Sequence, residues 1–173
     1  MQLQDWSLGF TDDVAITLAP RRRPSDEYGA ASRDLVNRIV PNVPIGIEPI
    51  VQVAILIGHR RRHVHDLARV CGTAPRTIHW RLATAGPMTA RQLLAWALAL
   101  HAAWRRERLG WNVKQVSAAA GFDTRGAFAN YIRRNVWMTP GQLSAPGTVD
   151  LLTNQFIAHI GGEHRRGTRL TGR

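Results

Sequence analysis

The chain has 173 residues, 45% of them hydrophobic, a net charge of +11 and a single cysteine. That length holds one or two small domains with a real core, and that hydrophobic share argues against disorder. One cysteine excludes an internal disulfide and fits a reducing cytoplasm, and no apolar run reaches the roughly 20 residues of a membrane span.

In chain order, Val14–Leu18 predicts a short strand, and Pro20–Pro24 a loop whose three arginines form a solvated run. The segment before it carries Asp5, Asp12 and Asp13 and has no uninterrupted apolar core, so no secretory signal is expected there. Ser25 or Asp26 can cap a helix running towards Val40, with Leu35, Val36 and Ile39 on one side. Pro41 and Pro44 end it. Pro49 starts a second helix with Ile50, Val53, Ala54 and Ile57 at helical spacing, expected to pack on the pair of helices after it.

A unit of helix, glycine turn and second helix then occurs twice. In the first copy Val64, Leu67 and Ala68 precede Cys71-Gly72, and Pro75 opens a helix through Leu82. In the second, Val113, Val116 and Ser117 precede Ala120-Gly121-Phe122, and Thr124 opens a helix through Ile132. This is the helix-turn-helix pattern. Each copy is followed by the same short phrase, Met88-Thr89-Ala90-Arg91-Gln92-Leu93 and, fifty residues on, Met138-Thr139-Pro140-Gly141-Gln142-Leu143.

Thr89 and Gln92 have the spacing of a capping box, and nothing breaks the helix from there until Gly110. Leu93, Trp96, Ala97, Leu100 and Trp104 share one face and Leu94 and Leu98 a neighbouring one, so burial from two sides is expected. About 20 residues at 1.5 Å each give roughly 30 Å, close to the ~34 Å of one duplex turn. Thr139-Pro140 starts a short terminal helix. Thr148 caps a last one carrying Val149, Leu152, Phe156 and Ile160, and the Arg- and Gly-rich tail from Glu163 comes after it.

The positive charge is unevenly placed. Residues 1–57 carry five Arg against seven acidic residues, and residues 146–173 four against two. Residues 58–145 carry fourteen Arg and Lys against three acids. The excess therefore falls on the repeated units, as an electrostatic footprint for phosphates requires. Other chemistry finds little support. His63 and His65 diverge on a helix and lack a third ligand, so no metal is expected. No phosphate-binding glycine loop, zinc-protease motif or nucleophile elbow occurs, and the scattered carboxylates offer no acid/base pair. Cys71 reads as core packing. The chain is not expected to be an enzyme or to hold a cofactor.

Residues from about 50 to 145 resemble the DNA-binding domain of the AraC/XylS family of bacterial transcription regulators. The second unit carries the fuller match: Val116 through Ala120, Gly121-Phe122, Phe128, Ile132-Arg133-Arg134 and Met138-Thr139-Pro140. The first matches through Leu67-Ala68, Pro75-Arg76, Ile78 and Leu82. The chain departs from the family pattern at Trp137, where a glycine is usual, at Trp80, where an arginine is common, and at Gly126, where a polar residue is usual. Only about fifty residues precede the matching region, too few for a sensor domain. A sensor-less member or a piece of a longer regulator is expected.

The resemblance implies an all-α fold: two helix-turn-helix subdomains joined by a long linker helix, behind a short, mostly helical extension. The expected domains are residues 1–48, 49–145 and 146–173. The implied function is a sequence-specific regulator binding double-stranded DNA in successive major-groove segments, in the cytoplasm. RNA polymerase is a second candidate partner, and a homo-oligomer is compatible but not implied. Base readout falls to Arg76, Thr77, His79 and Trp80 in the first unit and to Arg125, Ala127 and Asn130 in the second. Backbone contacts fall to Arg60, Arg61, Arg62, Arg105, Arg106, Arg133 and Arg134. Ile78, Leu82, Phe128 and Ile132 are expected beneath them. Two alternatives stand beside this reading: a protein-interaction module with degenerate units, and a non-specific architectural DNA binder. Residues 1–45, net acidic and outside the resemblance, are expected to be dispensable for DNA binding.

Overall fold

The computed structural model describes residues 26–161. The strand expected at Val14–Leu18, the Arg21–Arg23 run and the tail from Glu163 lie outside them. Among the described residues the fold is all-α. Its eight helices are α1 (Asp26–Ile39), α2 (Glu48–Ile57), α3 (Val64–Val70), α4 (Pro75–Ala85), α5 (Ala90–Leu109), α6 (Val113–Ala119), α7 (Arg125–Val136) and α8 (Thr148–Ile160). Short 3-10 turns come after α1 at Val40–Asn42 and after α7 at Gln142–Ser144.

The two copies of the repeated phrase make the same local structure. The Thr89 N–H donates to Gln92 Oε1 at 3.0 Å and the Gln92 N–H to Thr89 Oγ1 at 3.2 Å. Thr139 and Gln142 repeat this exchange at 2.7 and 3.3 Å. Each box satisfies two otherwise orphaned backbone donors. After the first copy the sequence lets α5 run for 20 residues, until Gly110 turns left-handed at φ 66°. After the second, Pro146-Gly147 intervenes, and only the 3-10 turn forms before α8. Thr148, expected as a cap, sits one residue inside α8 and instead donates its hydroxyl to Gln142 O and Ala145 O at 2.9 and 2.6 Å.

α5 is the axis of the molecule. Every residue from Leu93 to Arg105 is buried. The two-sided burial expected from its leucines and tryptophans is thus extended round the helix by Ala95, Ala99, Ala102 and Ala103, whose small side chains let neighbours approach on the remaining faces. α1, α2, α7 and α8 all pack on it, and one continuous cluster of buried side chains runs from Ala31 to Ile160.

α1 belongs to that cluster. Its Ala31, Leu35 and Ile39 are buried, Asp34 accepts the Trp104 indole N–H at 3.2 Å, and Arg38 pairs with Asp150 on α8. At Gly58, the residue closing α2, α5 approaches closely. A Cβ there would lie 2.5 Å from the Ala97 Cβ and 2.7 Å from the Ala54 carbonyl oxygen. Gly58→Ala is therefore expected to cost about 1–3 kcal/mol through overpacking, seen as a lower urea midpoint. A midpoint equal to that of the natural chain would contradict this packing.

Candidate nucleic-acid interface

Both units turn in the same way. After α3 the chain passes through Gly72 at φ 61°, with the Thr73 N–H bonded to Ala68 O at 2.9 Å and the Gly72 N–H to Arg69 O at 3.2 Å. After α6, Gly121 at φ 81° brings the Phe122 N–H to Ser117 O and the Gly121 N–H to Ala118 O, both at 3.0 Å. Each pair is a Schellman cap, whose left-handed residue favours glycine because it lacks a Cβ. Pro75 at the start of α4 and the Thr124 hydroxyl, accepting the Ala127 N–H at 3.0 Å, then open the second helices.

These helices bury one face and expose the other. Ile78 and Leu82 of α4 and Phe128 and Ile132 of α7 are buried, as expected, so the opposite faces are held outward. On α4, Arg76 and His79 are exposed, Trp80 is 67% exposed, and Thr77 is half-buried. On α7, Arg125, Ala127 and Asn130 are exposed, as are Arg133 and Arg134. The Asn130 side-chain oxygen already accepts from Arg133 Nη2 at 2.9 Å, which ties the two to each other on the helix surface.

Among the arginines expected on a DNA backbone, Arg60 and Arg61 are exposed and Arg62 is half-buried. They lie in the segment joining α2 to α3, fixed to the second unit where the Arg61 N–H donates to Ala120 O at 2.9 Å. The Arg61 guanidinium also lies over the Phe122 and Tyr131 rings, 5.6 and 5.7 Å from their centroids. Two other positions behave differently. Arg105 is only 2% exposed, and both its Nη atoms donate to the His59 carbonyl at 3.3 Å. Its guanidinium lies 4.5 Å from the Tyr28 ring centroid and 5.5 Å from that of Trp111. A cation so enclosed cannot reach a phosphate, and the expectation for Arg105 is corrected: it sits on the buried length of α5. Arg106 is half-buried, with its Nε and Nη1 covered.

Beside Arg105 lie two neutral histidines. Burial, helped by the neighbouring Arg105, pushes His101 down to about 3, and its Nε2 lies 2.7 Å from Ile55 O. Burial likewise lowers His59 to about 4, with Arg105, Arg62 and Arg60 adding to the effect. Burial raises the Cys71 thiol to about 11, which keeps it an inert packing group. Among the described residues no group of three His, Cys, Asp or Glu could hold a metal, and no helix is long and apolar enough to cross a membrane.

Trp137 keeps the backbone that a glycine would adopt. At φ 58° and ψ 26° it is the one non-glycine residue with positive φ among the described residues, and it closes α7. The turn is therefore left-handed despite the side chain, whose ring stands edge-on to His159 at 5.3 Å and is 58% exposed. Arg91 is the cation that the sequence reading missed. It is exposed at the start of α5 and joins Arg61 and Arg62 around one cavity. Its signal was present, since Arg91 is the basic residue of the repeated phrase, at the position where the second copy has Gly141. No protein-family model, characterised protein or solved structure matches the chain.

Proposed function

We propose that the protein is a sequence-specific, double-stranded DNA-binding transcription regulator of the AraC/XylS kind, reading bases with α4 and α7. The observation that carries this reading is the duplicated unit: two glycine-capped turns of the same hydrogen-bonding pattern, each presenting the outer face of the following helix. The concentration of fourteen basic residues against three acids over residues 58–145 supplies the phosphate attraction. Arg60, Arg61, Arg133 and Arg134 would position the duplex, and Arg76, His79, Arg125 and Asn130 would choose the bases.

A protein-interaction module is the second reading. It is favoured by Trp80, a large apolar side chain standing 67% exposed on the face offered for readout, and by Gly126, which has no side chain to offer.

The two units differ in what they present. Arg makes a bidentate contact with guanine worth ~1–3 kcal/mol of discrimination, and Arg76 stands exposed near the start of α4 with His79 one turn on. On α7, Gly126 and Ala127 offer no hydrogen-bonding side chain, and Asn130 is already engaged by Arg133. The first unit is thus expected to dominate sequence choice. In site selection from a random duplex pool, Arg76→Ala should relax the preference at one position, whereas Arg133→Ala should weaken all sequences about equally. Enrichment of no sequence by the natural chain would remove the sequence-specific reading. A larger change in preference from Asn130→Ala than from Arg76→Ala would reverse the asymmetry.

A further inference from the structure

A cavity of about 250 Å³ lies between the two units, where the segment entering α3, the start of α5 and the middle of α7 converge. Arg61, Arg62, His63 and Arg91 line it together with Tyr131, and the remaining lining is apolar. Among the described residues no carboxylate lines it. The acid nearest in sequence, Asp66, already accepts from the His63 N–H at 3.0 Å and from Arg69 at 3.1 Å.

We propose that this cavity is a binding site for a phosphate group, with Arg61, Arg62 and Arg91 as its ligands. Guanidinium groups carry donors only, and their planar fork matches the oxygens of phosphate. Three of them gathered around one cavity repel one another, the Asp66 carboxylate reaches Arg62 only beside its own bonds to His63 and Arg69, and an anion among the three reverses the sign of their interaction. Two features prepare the site. Arg61 is held by its backbone bond to Ala120 and by the Phe122 and Tyr131 rings. The Arg62 Nε is covered and has no hydrogen-bond partner among the described residues, so the protein does not hold that guanidinium through its Nε. The volume leaves room for a tetrahedral oxyanion and falls just below the ~300–1,000 Å³ of sites for larger organic ligands.

The site stands apart from base reading by α4 and α7, because it is built from other residues. Its phosphate can come from a phosphodiester of bound duplex or from a free phosphate compound. Either occupant would bridge the two units, since Arg61 and Arg62 lead into the first and Tyr131 belongs to the second.

The test is calorimetric titration of the full chain with inorganic phosphate at constant ionic strength, paired with titration of a duplex. The variants are Arg62→Gln, Arg91→Gln and, as a control for loss of one exposed charge elsewhere, Arg108→Gln. We expect one saturable phosphate site that weakens about ten-fold or more in each cavity variant, the scale of a lost charge-assisted hydrogen bond, and is unmoved in Arg108→Gln. Duplex affinity that falls further in the cavity variants than in Arg108→Gln identifies the DNA backbone as the source. Duplex affinity equal to that of Arg108→Gln, with phosphate binding lost, identifies a free phosphate compound. The proposal is overturned if neither phosphate nor duplex binding separates the cavity variants from Arg108→Gln.

Discussion

Removal of residues 1–45 is expected to unfold the protein. The sequence alone suggested the opposite, because this stretch is net acidic and lies outside the region that resembles a DNA-binding domain. The structure places Ala31, Leu35, Ile39 and Val43 in the core, with Leu35 and Ile39 completely enclosed. Each large aliphatic side chain so buried contributes roughly 1.5–3 kcal/mol. Losing this set also uncovers the faces of α2, α5 and α8 that α1 covers, and strips Trp104 of Asp34 and Asp150 of Arg38. Against a total stability of about 5–15 kcal/mol for a domain, the remainder cannot hold. Far-ultraviolet circular dichroism of a chain starting at Gly46 should show lost helicity and no cooperative melt. A cooperative transition at the temperature of the full chain would show that α1 is an appendage.

Acid is expected to destabilise the protein well before its carboxylates titrate. His101 and His59 are held neutral at about 3 and about 4, against the ordinary 6.5. Below pH 6.5 the unfolded chain takes up protons that the folded chain excludes. The stability these groups contribute is therefore complete above 6.5 and is lost as pH falls towards the folded values. Between pH 7 and pH 5, His101 alone accounts for about 2 kcal/mol. His59 accounts for less, because it is only partly buried and water screens it. Urea midpoints across this interval should fall steadily, and His101→Gln should flatten the slope. A slope unchanged by His101→Gln would show that the buried imidazole is not its source.

Local order was legible where the chemistry is local. Thr89 and Gln92 announced α5, Gly110 ended it, and Gly72 and Gly121 marked the two turns, because each acts on backbone groups within a few residues. The buried set Ile78, Leu82, Phe128 and Ile132 followed from helical periodicity, which states which face is apolar. Periodicity does not state which other helix covers that face. Periodicity thus places Leu35 and Ile39 on one side of a helix without joining them to the core that holds Phe156. The same limit misplaced Arg105, four residues beyond His101 on a helix whose every face is covered. It also hid Arg91, isolated in sequence and brought to Arg61 and Arg62 only by the tertiary fold. Trp137 shows the converse: between the buried Val136 and Met138 it holds a glycine-like backbone that the residue itself disfavours by about 1–3 kcal/mol.

The most direct test of the account is a titration of the full chain with a selected and a random duplex of about 20–30 base pairs, spanning two or more helical turns, at two salt concentrations. Tight binding is expected at low salt, with the logarithm of affinity falling by about 0.9 per neutralised phosphate for each unit of log salt. A preference for the selected duplex that persists at the higher salt is expected as well. No binding at low salt, or equal affinity for both duplexes, would contradict it.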